Sequence, residues 1–163
     1  MKNDIFKKTE RALINKGLRI DCYDFERPWG GFFVLDESQA QEFANVYFEG
    51  LDVSPLRISG KLSPKILMVK PGARLSWQYH HRRAETWRVV EGPVYVVRSA
   101  TDDEGELVSF ETGETIFLEK GERHRLIGME NWGEVAEFWQ HTNPGHPSDE
   151  DDIVRLQDDY QRK

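Results

Sequence analysis

The chain is short of most things that would narrow a reading quickly. It has one cysteine, Cys22, in 163 residues, so no intramolecular disulfide can form and a thiolate zinc cluster is excluded. It lacks an excess of positive charge: 29 acids face 22 Lys and Arg, a net charge of -7. That balance argues against nucleic acid as a partner. There is no apolar run long enough to cross a bilayer, so no membrane association is expected. The opening Met1 to Lys8 has no uninterrupted apolar stretch of the secretory kind, and the cytoplasm is the expected compartment. No internal repeat breaks the chain into arrays, and the length suits one core.

What is present is concentrated in two stretches. Gly72 to Gly92 contains Gln78, His80 and Glu85, and Gly113 to His124 ends on a second histidine. On an extended strand, residues two apart leave the same face, so Gln78 and His80 point together, and Glu85 can return to that face after a short charged turn. A register using Tyr79 and His81 satisfies the same parity. Imidazole, carboxylate and amide oxygen form a ligand set for borderline divalent metals.

Charge is uneven along the chain. Residues 61–100 hold eight Lys or Arg against two acids, whereas residues 101–163 hold seventeen acids against six bases. A basic segment coinciding with the metal-ligating stretch suggests an anionic small molecule as ligand. The periodicity predicts an amphipathic helix over Asn3 to Lys16, with Ile5, Phe6, Thr9, Leu13 and Ile14 on one stripe and Gly17 as its stop. It predicts strands at Gly31 to Leu35, Ile66 to Lys70, Ser76 to His80, Glu85 to Val90, Val94 to Ser99, Leu107 to Glu111, Thr115 to Leu118, His124 to Ile127 and Val135 to His141. Ser38 to Phe48 fits either a capped helix or a strand. Trp77, Trp87 and Trp139 are read as core or wall residues rather than sugar platforms.

The spacing of Gly72, Gln78-x-His80, Glu85 and Gly92, followed by Gly113 and Gly121-x-x-His124, resembles the two motifs of the cupin superfamily. A narrower match resembles the C-terminal isomerase domain of type II mannose-6-phosphate isomerases. It rests on Pro71 to Ser76, Gln78 to Trp87, Gly121 to Leu126, the opening Arg27 to Gly30, and the tail running from Glu150 through Asp152, Arg155 and Tyr160 to Arg162. Thr86 stands where that family is expected to have His, residues 36–60 form a longer insert, and the nucleotidyltransferase domain usual in front is absent from this sequence.

The resemblance implies an all-β fold, a double-stranded β-helix or jelly-roll cupin barrel, over residues 25–163, with residues 1–24 as an N-terminal helical extension. It implies that Gln78, His80, Glu85 and His124 bind one divalent metal, with zinc the first expectation and Mn, Fe, Co or Ni as alternatives. The implied activity is metal-dependent aldose–ketose isomerisation of a sugar phosphate, mannose 6-phosphate to fructose 6-phosphate first. Alternatives are another phosphosugar such as a heptose phosphate, or a non-catalytic sugar-binding cupin. His81, Lys70 and Arg155 are the catalytic candidates, Arg74 and Arg155 the substrate-binding ones, and a homodimer is expected, as cupins commonly form.

Overall fold

The computed structural model describes residues 2–57 and 60–161. Met1, Arg162 of the tail motif and two residues of the 36–60 insert lie outside them.

The chain opens with α1 (Lys2–Asn15), which buries Phe6, Thr9 and Leu13. Gly17 ends it at φ +79°, where the N–H groups of Gly17 and Leu18 donate back to the carbonyls of Ile14 and Leu13 at 2.9 and 3.1 Å. This crossed pair satisfies carbonyls the helix would leave open, in a conformation glycine adopts without steric cost. Ile14, expected on the apolar stripe, is 60% exposed. The ambiguous segment resolves as a 3-10 turn, Glu37–Gln39, followed by α2 (Ala40–Tyr47). Asp36 caps the turn by accepting from Ser38 N–H, the kind of local bond that pulls a chain out of strand conformation.

Among the described residues, eleven strands form two antiparallel sheets: β1 (Ile20–Arg27), β2 (Gly30–Leu35), β3 (Lys65–Val69), β4 (Trp77–Tyr79), β5 (Arg83–Glu91), β6 (Val94–Ser99), β7 (Leu107–Phe110), β8 (Thr115–Leu118), β9 (Arg123–Gly128), β10 (Gly133–His141) and β11 (Val154–Gln157). One sheet has the order β1-β2-β3-β10-β5-β8 and the other β11-β4-β9-β6-β7. The jelly roll is as expected, with one correction. The two sheets face each other without closing into a continuous hydrogen-bonded barrel. Edge strands β1 and β11 were not read as strands from the sequence, since charged residues break their apolar alternation.

The central strands β3, β5 and β10 of the six-stranded sheet are covered on both faces and buried almost throughout, β3 at all five positions, whereas the edge strand β1 has no buried residue. Alternate residues serve different neighbours. Phe33, Ile66, Met68, Ala136 and Phe138 pack with Phe6, Phe43 and Phe48 in a cluster under the two helices. Leu67, Val69, Trp87, Val89, Val135 and Leu118 face the second sheet and join Val96 and Leu126 in an inner cluster. At one end of that inner layer the apolar residues give way to polar ones, and a cavity of about 460 Å³ opens between the sheets.

Candidate metal centre and its cavity

Three strands deliver the central side chains. Gln78 on β4 is the register partner of His124 on β9 and of Arg155 on β11, and His80 follows on the same face just beyond β4. From the opposite sheet, β5 supplies Glu85, whose neighbours in register are Trp139 and Leu118. His80, Glu85 and His124 are 3%, 3% and 1% exposed. Each offers one ligand atom, and these atoms lie within 4.8 Å of one another. His80 Nε2 is 3.3 Å from Glu85 Oε2, and His124 Nε2 is 3.4 Å from Glu85 Oε1.

The hydrogen bonds around the two imidazoles set their tautomers. His80 Nδ1 donates to the carbonyl of Asp152 at 2.7 Å, and His124 Nδ1 donates to that of Glu122 at 3.1 Å. With Nδ1 carrying the proton, Nε2 of each ring turns a lone pair toward Glu85, the arrangement by which outer partners prepare a metal ligand. Among the described residues, His124 Nε2 is buried without a hydrogen-bond partner, a costly state unless something else uses its lone pair. Two ligand atoms bound to one zinc-sized ion stand roughly 3.0–3.5 Å apart, close to the observed spacings. These residues therefore fit a divalent metal. Gln78, 7% exposed, lines the same cavity and offers an amide as a further donor.

Electrostatics support the same ligand states. Burial, reinforced by the Arg83 guanidinium and His124, lowers the His80 pKa to about 3, so the ring is neutral. Burial alone would raise the Glu85 pKa, but Arg83 and the two imidazoles hold it well below the usual range. Because His80 is uncharged at neutral pH, Arg83 is the charged partner that keeps the carboxylate ionised. Its Nε donates to Glu85 Oε2 at 2.7 Å and its Nη2 to His80 Nε2 at 3.2 Å, with the guanidinium 3.5 Å from the Trp139 ring centre. An ion taking the His80 lone pair competes with that last N–H.

A strap over residues 148–152 closes one side. Asp152 accepts from the backbone N–H groups of His81 and Arg82, each at 2.9 Å, and from Ser148 Oγ at 2.6 Å. Burial would raise its pKa, yet these bonds lower it to about 2. Ser148 Oγ in turn accepts from Arg83 Nη1 at 3.0 Å.

The other expected site residues divide clearly. Arg155 lines the cavity. His81 is exposed and stacks edge-on against Tyr79 at 5.3 Å, turned away from the centre. Lys70 is exposed at the end of β3, on the parity opposite to cavity-lining Lys65 and Leu67. Arg74 forms a two-pronged pair with Asp159 at 2.9 and 2.6 Å and is not among the residues lining the cavity. Of the tryptophans, Trp77 is buried with its Nε1 on the Asp102 carbonyl, while Trp87 and Trp139 form cavity wall.

The sequence reading missed Arg83, Lys65, Asp152 and above all Glu137. Glu137 sits on β10 between Lys65 and Trp87 in register and is 4% exposed. Its Oε2 accepts from Trp87 Nε1 at 2.7 Å and its Oε1 from Trp139 Nε1 at 2.9 Å. Burial, with Glu85 nearby, pushes its pKa up to about 7. The available signal was an acid inside the otherwise apolar run Val135 to Trp139.

The family described as mannose-6-phosphate isomerase C-terminal matches residues 40–158. The xanthan biosynthesis protein XanB of Xanthomonas campestris is 32% identical over 136 residues, covering 83% of this chain and 23% of XanB. The mannose-1-phosphate guanylyltransferase ManC of Salmonella typhimurium is 31% identical over 136 residues, covering 83% of this chain and 22% of that protein. This chain thus spans about a quarter of the length of the curated relatives it matches. Among solved structures, oxalate decarboxylase from Bacillus subtilis superposes with a TM-score of 0.57 at 16% identity, over 83% of this chain and 30% of that one. The likeness concerns the fold alone.

Proposed function

This chain belongs to the mannose-6-phosphate isomerase C-terminal family, and from that premise we propose that it is a metal-dependent aldose–ketose isomerase of a sugar phosphate, with mannose 6-phosphate and fructose 6-phosphate as its substrate pair. The observation that carries this reading is the buried His80–Glu85–His124 cluster, with both imidazoles fixed in the ligating tautomer and with His80 and Glu85 lining a cavity large enough for a sugar.

Gln78, His80, Glu85 and His124 would hold the ion, zinc in the first instance. When bound, it supplies Lewis-acid polarisation of a sugar carbonyl and its neighbouring hydroxyl. The remaining work falls to the chain. Isomerisation moves a proton between two adjacent carbons, which calls for a group that can both take and return it near neutral pH. His81 and Lys70 do not face the cavity. Glu137 does, and its raised pKa suits both directions of transfer. The two indole N–H groups orient its oxygens while leaving each able to accept or carry a proton toward the cavity. Arg83 keeps Glu85 anionic for the metal, and Trp29, Leu67 and Leu75 in the wall limit water around the reacting atoms.

Thr86 and the described part of the 36–60 insert, the departures that put sugar specificity in question, lie away from this cavity. Thr86 pairs with Phe138 and Phe117 on the opposite parity of β5 from Glu85, and α2 packs under the outer face of the sheet. Mannose 6-phosphate therefore stays ahead of a heptose phosphate. The test is an isomerase assay paired with elemental analysis of the purified protein. Turnover of mannose 6-phosphate should vanish on chelation and return with added zinc. Sugar binding without turnover after metal is restored would make this a non-catalytic sugar-binding cupin.

A further inference from the structure

The cavity wall carries four cations, Arg27, Lys65, Arg83 and Arg155, and four carboxyls, Glu85, Glu137, Glu150 and Asp151. Arg83 is committed to Glu85, and Arg74, the expected phosphate ligand, is held by Asp159 elsewhere. Lys65 is different. Its side chain is 7% exposed, lies 4.8 Å from the Phe32 ring centre and 4.5 Å from that of Trp139, and its ammonium is ion-paired with Glu150. Glu150 is 60% exposed and comes from the tip of the strap. Arg27 lies over the same Phe32 ring at 5.4 Å. A buried ammonium is thus neutralised by a carboxylate that water also reaches.

We propose that Glu150 occupies the place of the substrate's phosphate, and that Lys65, with Arg27 beside it around Phe32, is the phosphate-binding end of the cavity. The sugar-phosphate reading of the site is assumed here. A buried lysine is stable only while an anion is next to it, so Glu150 leaves when another anion arrives, not before. A phosphate monoester brings more charge and three acceptor oxygens to the three N–H donors of the ammonium. The exchange needs a side-chain rotation and not an opening of the strap, because Ser148 and Asp152 on either side of the tip are 2% and 3% exposed and bonded to each other and to the β4–β5 turn. Substrates lacking an anionic group are then selected against, since they cannot replace the counter-ion.

Calorimetric titration with inorganic phosphate, against chloride at equal ionic strength, tests this without requiring turnover. Glu150→Gln, at an exposed position, removes the competitor and should tighten phosphate binding roughly tenfold, while Lys65→Met should weaken it by at least roughly tenfold. In the isomerase assay, KM for mannose 6-phosphate should fall in Glu150→Gln with kcat little altered, and rise in Lys65→Met, where kcat also changes because Lys65 is the register neighbour of Glu137. Phosphate affinity unchanged by Glu150→Gln, or isomerisation with an unchanged KM in Lys65→Met, would overturn the inference and leave the isomerase reading intact. Phosphate affinity that shifts as expected in a protein that turns over no phosphorylated sugar would uphold it and sink the isomerase reading instead.

Discussion

The six-stranded sheet has two faces made by the same strands, and they obey different rules. On the outer face, Ile66, Met68, Ala136 and Phe138 meet the helices in a mostly apolar layer, broken where Glu134 accepts from Thr9 of α1 at 3.0 Å. One residue along each strand, Lys65, Glu137 and Glu85 point inward, and each of the three has a polar partner there. The outer face gains stability from burial in proportion to area. The inner face spends part of that stability on desolvated charges, which persist because the outer layer holds the backbone in register. One sheet thus confines the residues that make the centre to a single parity, which they share with the inner apolar cluster.

Exchanging effects between the faces would break this comparison. The largest change is expected from Glu85→Gln, which should reduce kcat/KM by about 10³-fold or more and remove stoichiometric metal. Its outer-face counterpart, Phe138→Ala, should cost about 3–5 kcal/mol of stability by leaving a cavity under the helices. Metal content per folded molecule should stay unchanged, measured by elemental analysis beside denaturant unfolding. Metal loss in the folded Phe138 variant would show that the two layers are not separable.

A second expectation concerns Glu137. Its Gln variant should lower kcat by about 10²-fold or more and remove the fall in rate on acidification, because the carboxylate is the form that accepts the proton. The sign for stability is opposite. The folded pKa is raised from an ordinary 4.5 to about 7, so the folded state binds more protons than the unfolded one between those values, and stability falls as pH rises through that window. Urea unfolding of metal-free protein across pH 4.5 to 7 should show this component, and Glu137→Gln should flatten it.

Asp152→Asn should act more moderately. It weakens the bonds that cap the β4–β5 turn, costing about 1–3 kcal/mol. It also loosens the segment that fixes His80, so metal affinity should fall by about 10-fold or more in a competition titration. The smallest effect belongs to Thr86→His. It faces away from the cavity, and kcat/KM should stay within about threefold of the parent, as for most changes outside a site. A larger change in substrate preference would show that the outer face does shape the site.

Much of this plan was legible in the sequence, and the illegible parts share a cause. The strand pattern from β3 to β10 followed from alternation and turn residues, whereas parity left His80 and His81 both open and the resemblance chose the register with His80, Glu85 and His124. Lys65 was overlooked for Lys70 because a strand buried on both faces shows no alternation by which to choose one parity over the other. Glu137 and Asp152 gain their meaning from partners in sequence-distant elements, Trp87 for one and the β4–β5 turn for the other. His81, in a run of charged residues beside the ligand His80, looked catalytic but points to solvent.

The bond from His80 to the Asp152 carbonyl spans 72 positions, and it sets a timetable. While the protein is being synthesised, the first imidazole, the carboxylate and the second imidazole emerge well before the segment that fixes the ring of the first. Until residue 152 has left the ribosome and docked, nothing holds the proton on Nδ1, and the nitrogen that should grip a cation is free to carry it instead. Metallation should therefore be a late event, following the strap into place and not guiding the strands that precede it.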